Sequence, residues 1–386
     1  MKIRLTAALG LSAALLLSAC AANEPNNNTP AEPADTAAVE TTPAADDATT
    51  DDEATDEEAP APANLEGTLS GIGASAQEVA QQTWIVGFQT ANPNVTINYS
   101  PEGSGAGREA FIGGGADYAG SDRAFKQEEI DENTFSQCVD KPINLPVYIS
   151  PIAVVFNLEG VEELNMDADT LTAVFKGDIT NWNDEKIAAL NEGVELPDTP
   201  ITAVHRSDTS GTTENFLDYL SAAAPSVYGE DTEVSGDWPF PGGEAAAQTQ
   251  GVVSAVSGGV GTIGYVDASQ AGDFTTVKLG KDGSFHGPTT EAAAAIVENS
   301  PVQEGRADND MAIEVDREAE GYPIVLVSYL IVCQDYQDDA KAELVKAYAN
   351  YIASQEGQQA AGERAGSAPL SQGLTDSVTA AIDSIQ

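Results

Sequence analysis

The stretch Ile201-Thr202-Ala203-Val204-His205-Arg206-Ser207-Asp208-Thr209-Ser210-Gly211-Thr212-Thr213 decides the fold. Ile201–Val204 predicts a strand that ends in the polar tip His205-Arg206-Ser207-Asp208, and Ser210-Gly211-Thr212-Thr213 opens a helix carrying Phe216, Leu217 and Leu220. A strand that passes through a polar turn straight into a helix is the repeating unit of α/β folds with sheets covered on both faces. The unit recurs upstream. Leu65–Leu69 predicts a strand, Gly71-Ile72-Gly73-Ala74-Ser75 a tight turn, and Ala76–Ala91 a helix with Val79, Trp84, Val86 and Phe88 at its bulky apolar positions. Asn94–Tyr99 alternates Val95, Ile97 and Tyr99, a strand pattern. A second Gly-rich turn, Gly103–Gly107, precedes a short helix over Arg108–Gly113, and Tyr118–Asp122 predicts a third strand with a polar tip. Leu145–Phe156 and Ile324–Val332 are apolar runs of the kind buried strands show, and Asp338–Ser354 predicts a helix. Gly229–Thr249, rich in Gly, Pro and acids, predicts a long surface loop.

The ends and the charge narrow the class. Met1-Lys2-Ile3-Arg4 followed by the apolar run Leu5–Leu17 and then Ser18-Ala19-Cys20 reads as a secretory signal, too short to span a bilayer as a helix. Leu17-Ser18-Ala19-Cys20 resembles a bacterial lipobox, which implies that Cys20 carries the lipid and becomes the mature N-terminus. Residues 21 to about 64 hold no aromatic residue and no Lys or Arg, and crowd acids from Asp46 to Glu58. Such a segment cannot bury enough apolar area to offset its ordering entropy, so it predicts an extended acidic tether. Roughly 320 residues remain, enough for two ordinary domains. Sixty-two acidic against 16 basic residues give a formal net charge of −46, which excludes a nucleic-acid binder built on a basic stripe. With Cys20 lipidated, Cys138 and Cys333 remain, either as two separate thiols or, favoured by export, as a disulfide. His205 and His286 are far apart, no Cys/His cluster has metal-ligand spacing, and no metal or cofactor is expected.

The polar tips point to an oxyanion. Helix N-termini present unpaired N–H groups and partial positive charge. Glycines let the backbone approach closely, hydroxyls add donors, and an arginine fork matches two oxygens of a tetrahedral anion. Singly, each feature has a plainer reading: Ser210 as a helix cap, Asp122 as the cap of the next turn, Arg206 and Asp208 as a surface ion pair. Four such tips in one chain favour anion capture.

The chain resembles the phosphate-binding subunit of the bacterial high-affinity phosphate ABC transporter. The matching stretches are Gly71–Ser75 (GIGAS), Glu102–Gly107 (EGSGAG), Gly120–Asp122 (GSD), Phe175–Asp184 (FKGDITNWND), Arg206–Thr213 (RSDTSGTT) and Gly261–Asp267 (GTIGYVD), in the family's order. The resemblance implies a two-lobed periplasmic-binding-protein fold of type II, with the ligand in the cleft between lobes. Lobe 1 is then 65–148 plus 323–386 and lobe 2 is 149–322, with crossings near Val147–Pro151 and Gly321–Ile324. It implies ligand roles for Ser75, the Ala76 N–H, Ser104, Asp122, Arg206, Ser210, Gly211 and Thr212, with Asp208 orienting Arg206. It further implies an extracytoplasmic, lipid-anchored monomer that binds inorganic phosphate without catalysis and serves membrane permease subunits. Ser75 replaces a Thr, Ala76 an aromatic residue, and Thr209 a common Gly. Arg123, where a small residue is usual, either pairs with Asp122 and weakens it as an acceptor or adds charge to the cleft. The alternatives are a binder of sulfate or molybdate, a secreted phosphatase, or a surface adhesin. Gly103-Ser104-Gly105 is not the nucleophile elbow a hydrolase needs, and His205 reads as a strand-end residue beside the cleft.

Overall fold

The computed structural model describes residues 65–281 and 283–386; the leader, Cys20 and the acidic tether lie outside the described residues. The chain opens with β1 (Gly67–Gly73), α1 (Glu78–Ala91), β2 (Val95–Ser100), α2 (Ser104–Gly113), β3 (Tyr118–Ser121), α3 (Gln127–Glu132) and the long β4 (Pro142–Asn157). It continues with β5 (Leu164–Met166), α4 (Ala168–Lys176), α5 (Glu185–Ala189), β6 (Thr202–Arg206), α6 (Gly211–Ala223), α7 (Pro225–Tyr228), β7 (Glu244–Ala246), α8 (Gln248–Gly258) and β8 (Thr262–Asp267). Then come β9 (Thr275–Lys281), β10 (Ser284–His286), α9 (Thr290–Glu298), β11 (Val325–Cys333), α10 (Asp339–Ala353), α11 (Gln355–Ala365) and α12 (Gln372–Asp383).

Strand pairing runs β2-β1-β3-β11-β4-β8-β6-β7. β1 lies parallel to β2 and β3, and β11 runs antiparallel to β3 and β4. β8 runs antiparallel to β4 and parallel to β6, which is parallel to β7. β4 is shared by two groups of strands. Its residues up to Pro151 pair with β11, and from Ile152 onward they pair with β8. Every residue of β4 but Asn157 is buried, which is why its sequence lacks the polar alternation of a half-exposed strand. Helices pack on both groups of strands, the α/β class that the strand–turn–helix units predict, and the division of β4 between the groups fits the two-lobed form that the resemblance implies.

The elements follow their residues. α1 buries Trp84 and Phe88, and the Trp84 indole donates to the Gly357 carbonyl at 2.8 Å. Trp182, fully buried, donates to Gly261 at 3.0 Å and so ties the FKGDITNWND stretch to the GTIGYVD stretch. Ser210 caps α6 by accepting from the Thr213 N–H, and Asp338 caps α10.

Four expectations need correction. The first strand is shifted to Gly67–Gly73, and Val86 is 66% exposed rather than part of the α1 core face. α2 starts at Ser104, not Arg108, because the second Gly-rich stretch is itself the first helical turn, entered through Gly103 at φ 104°. Gly229–Thr249 is not all surface loop. It contains β7 and the start of α8, and its Trp238 and Phe240 pack on the core, with Trp238 6.0 Å from the Phe175 ring. Outside those four, the sulfurs of Cys138 and Cys333 are bonded to each other, with Cα atoms 5.2 Å apart.

Candidate functional site

The tips of β1, β3 and β6 and the N-terminal turns of α2, α6 and α8 meet in one place. Asp122, directly after β3, is buried and holds both of its oxygens in hydrogen bonds. Ser328 Oγ donates to Oδ1 at 2.6 Å, and Thr212 Oγ1 donates to Oδ2 at 2.9 Å. Its backbone N–H donates to Ser104 Oγ at 3.1 Å, and its carbonyl accepts from Asn215 Nδ2 at 2.6 Å. Burial pushes the Asp122 carboxyl above the usual range. The Ser328 and Thr212 bonds, and the charges of Arg206 and Arg108, pull in the opposite direction.

Arg206, at the end of β6, is buried and grips Asp208 through both Nε and a terminal nitrogen, the Nε bond being 2.8 Å. Asp208 also accepts from the Gln248 N–H at 2.8 Å. Burial raises the Asp208 carboxyl, but the Arg206 bonds and charge outweigh it and hold the group below its ordinary value. A surface pair of this kind is worth little; here a buried guanidinium is oriented by a bidentate carboxylate. Gly103 makes room for the pair, since a Cβ there would stand 2.6 Å from Asp208 Oδ2.

Ser75 closes the other flank. Its Oγ lies 2.9 Å from Thr249 Oγ1 and accepts from the Thr249 N–H at 3.1 Å, while its carbonyl accepts from Gln270 Nε2 at 2.7 Å. Ala76 is fully buried in the same turn. The Ser210 hydroxyl serves as the α6 cap, and its N–H donates to Gly236 at 2.9 Å. Gly211 sits against the opposite group of strands, where a Cβ would fall 2.6 Å from Ser104 Oγ.

The sequence-derived residues thus converge. Ser104, Asp122, Gly211 and Thr212 are in direct contact, Arg206–Asp208 adjoins them through Gly103, and Ser75 joins through α8. Sequence reading missed Ser328 and Thr249. Ser328 leaves a signal, the lone serine within the apolar run of β11; it also accepts from Gln77 Nε2 at 2.7 Å. Thr249 leaves none, because it lies in a stretch that looks like loop. Arg123 does not pair with Asp122. Its guanidinium turns to Glu129 and Glu214, at 2.6 and 2.7 Å. The His205 ring lies flat on Trp238, 5.0 Å between centroids, in a packing role. Among the described residues no group of three or more His, Cys, Asp or Glu side chains is placed to hold a metal ion.

A sequence model of the PBP superfamily domain matches residues 41–356. Phosphate-binding protein PstS 3 of Mycobacterium tuberculosis is 35% identical over 292 residues, covering 73% of this chain and 77% of that protein. Phosphate-binding protein PstS 2 of the same organism is 31% identical over 326 residues, covering 81% and 86%. Among solved structures, a high affinity periplasmic phosphate-binding protein bound with phosphate superposes with a TM-score of 0.66, at 24% identity over 81% of this chain and 93% of that one. A phosphate-binding protein from Stenotrophomonas maltophilia gives 0.66 at 19% identity, covering 82% and 94%. These structural likenesses establish the fold.

Proposed function

This chain belongs to the PBP superfamily and, within it, to the family of the PstS phosphate-binding proteins, and we propose that it captures inorganic phosphate in its cleft and delivers it to the permease of an ABC-type transporter. One observation carries the reading. A buried carboxylate, Asp122, stands among hydroxyls, helix N-termini and the oriented guanidinium of Arg206, drawn from both groups of strands. Donors alone suit any oxyanion. A carboxylate among them suits one that still carries a proton.

Phosphate keeps a proton near neutral pH and sulfate does not. An ionised Asp122 accepts that proton in a hydrogen bond. Against sulfate the same carboxylate faces bare oxygens with no proton between them, and such a like-charge contact costs several kcal/mol, of order 3. Arg206 and the N-terminal turns of α2 and α6 supply the compensating donors and positive potential. Ser75, Ala76, Ser104, Ser210, Gly211 and Thr212 complete the ligand set, with Asp208 holding Arg206. The Thr212 hydroxyl, engaged by Asp122, contributes mainly by fixing that carboxylate.

The finer organisation belongs to the same proposal. The lobes are 65–148 with 323–386, and 149–322; the change of β4 partner between Pro151 and Ile152 supports this division. Cys20 carries the lipid and the acidic segment spaces an extracytoplasmic monomer from the membrane. Among the described residues no helix is long and apolar enough to cross a bilayer. The protein binds rather than catalyses, in keeping with the packing role of His205.

Calorimetric titration of the full chain with phosphate, sulfate and molybdate tests the reading. One tight phosphate per chain is expected, with the other two anions far weaker. Equal or better binding of sulfate or molybdate would overturn the phosphate assignment, and turnover of a phosphomonoester would return the phosphatase.

A further inference from the structure

Beside the anion site, a second set of charges crosses between the two groups of strands. Arg123 directly follows Asp122 at the end of β3, and Glu214 lies two residues beyond Thr212 on α6. Arg123 Nε donates to Glu214 Oε2 at 2.7 Å, while its two terminal nitrogens grip Glu129 at 2.6 and 2.9 Å. Lys126 Nζ approaches the other Glu214 oxygen at 3.4 Å. Two cations and two carboxylates balance, so the cluster presents no net charge to Asp122. The side chains of Arg123 and Glu214 are only 17% and 12% exposed, which makes their contact stronger than an open surface pair. Burial disfavours the ionised Glu129 carboxylate, yet the Arg123 bonds and charge prevail and hold that carboxyl down to about 2, so the Arg123 fork is fixed on its own side. A groove of about 1120 Å³ runs past Arg123, Lys126, Glu214 and Asp218, giving salt ions access to the contact.

We propose that Arg123 and Glu214 form a clasp across the cleft that governs how fast the bound anion leaves, separately from Asp122, which governs which anion is held. The inference rests on the phosphate reading of the cleft and adds a positioning pair outside the ligand set. The contact exists only when α6 rests against the β3 tip. Opening the cleft must therefore separate a hydrogen-bonded ion pair, and breaking such a pair appears in the dissociation rate.

The sign of one substitution separates this role from simple repulsion. Glu214 carries negative charge near a bound anion. If repulsion were its only effect, Glu214→Gln would slow release. A clasp requires the opposite, release faster by roughly tenfold, about 1.4 kcal/mol. Stopped-flow measurement of inorganic phosphate release from the full chain, in a series of sodium chloride concentrations, reads this directly. In the unsubstituted protein, release accelerates several-fold as salt weakens the pair. Glu214→Gln and Arg123→Gln each release faster at low salt and lose that dependence, and the double variant is no faster than either alone. The preference for phosphate over sulfate stays as in the parent. Slower release in Glu214→Gln, additive effects in the double variant, or salt-independent release in the unsubstituted protein would each overturn the clasp while leaving phosphate binding intact. The salt series needs no variant, so a folding defect in one cannot shield the idea. Failure of the unsubstituted protein to bind phosphate would overturn both readings.

Discussion

Gly211 and Asp122 approach so closely that a methyl group on Gly211 would stand 2.7 Å from the Asp122 Cβ. The helix N-terminus of one half of the molecule and the carboxylate of the other are fitted without room for a side chain. Gly211→Ala must therefore wedge the halves apart. We expect phosphate affinity to fall by at least about a hundredfold, or 2.7 kcal/mol, with little change in the melting temperature of ligand-free protein. Calorimetry paired with thermal unfolding checks both parts; retained affinity would mean the cleft closes differently.

Asp122→Asn removes the acceptor of the phosphate proton and leaves the shape. The ratio of phosphate to sulfate affinity should fall by at least tenfold, about 1.4 kcal/mol. Titration with both anions measures it, and an unchanged ratio would take Asp122 out of the discriminating role.

Asp267 gives a pH signature unrelated to ligand. It ends β8, accepts from Tyr148 at 2.9 Å and from Ser269, and its second oxygen is buried with no partner. Burial pushes its carboxyl up to about 7, against the pull of the Ser269 and Tyr148 bonds. The folded state thus holds a proton that the unfolded state has lost, between the unfolded value near 3.9 and the folded value. Stability from this group is full at low pH and declines as pH rises to about 7, by up to about 4 kcal/mol. Asp267→Asn should stabilise the protein at pH 8 far more than at pH 5. Urea unfolding at the two values decides it, and equal effects would show that the carboxyl titrates normally.

The Cys138–Cys333 bridge closes a loop of 195 residues in sequence. Replacing both with serine should lower unfolding free energy by about 2–5 kcal/mol, chiefly through the freer unfolded chain. Phosphate affinity of the folded protein should stay within about twofold, because both residues lie away from the cleft tips. Denaturant unfolding and calorimetry together test this.

The formal charge of −46 bears on encounter. An acidic surface repels an incoming anion until salt screens it beyond about 8–10 Å, so the association rate constant should rise with ionic strength. A rate that falls with salt would reveal a local positive path into the cleft.

What the sequence made legible follows from distance along the chain. Arg206 and Asp208 sit two residues apart, and the Ser210 cap is written next to the helix it starts, so local rules reach them. Ser104, Asp122 and Gly211 announce themselves as polar or glycine tips after strands, although only the fold brings them into contact. Thr249 and Ser328 escape because their meaning lies in partners 174 and 206 residues away. The Arg123–Glu214 contact, 91 residues apart, escapes for the same reason. Periodicity likewise placed α1 but misjudged Val86, since an exposed valine at that point violates no local preference.

β4 runs without a break from its pairing with β11 into its pairing with β8. On this side the two halves are therefore joined by one continuous strand, hydrogen-bonded to a different neighbour in each half, and not by a slack linker. Any gaping of the molecule has to wring a paired ribbon about its long axis, like a torsion spring with the Cys138–Cys333 bond clamping its far end. Pro151, which stands at the change of partner, has no N–H to give and a fixed φ, so the spring's stiffness is set there by the residue as well as by the ribbon.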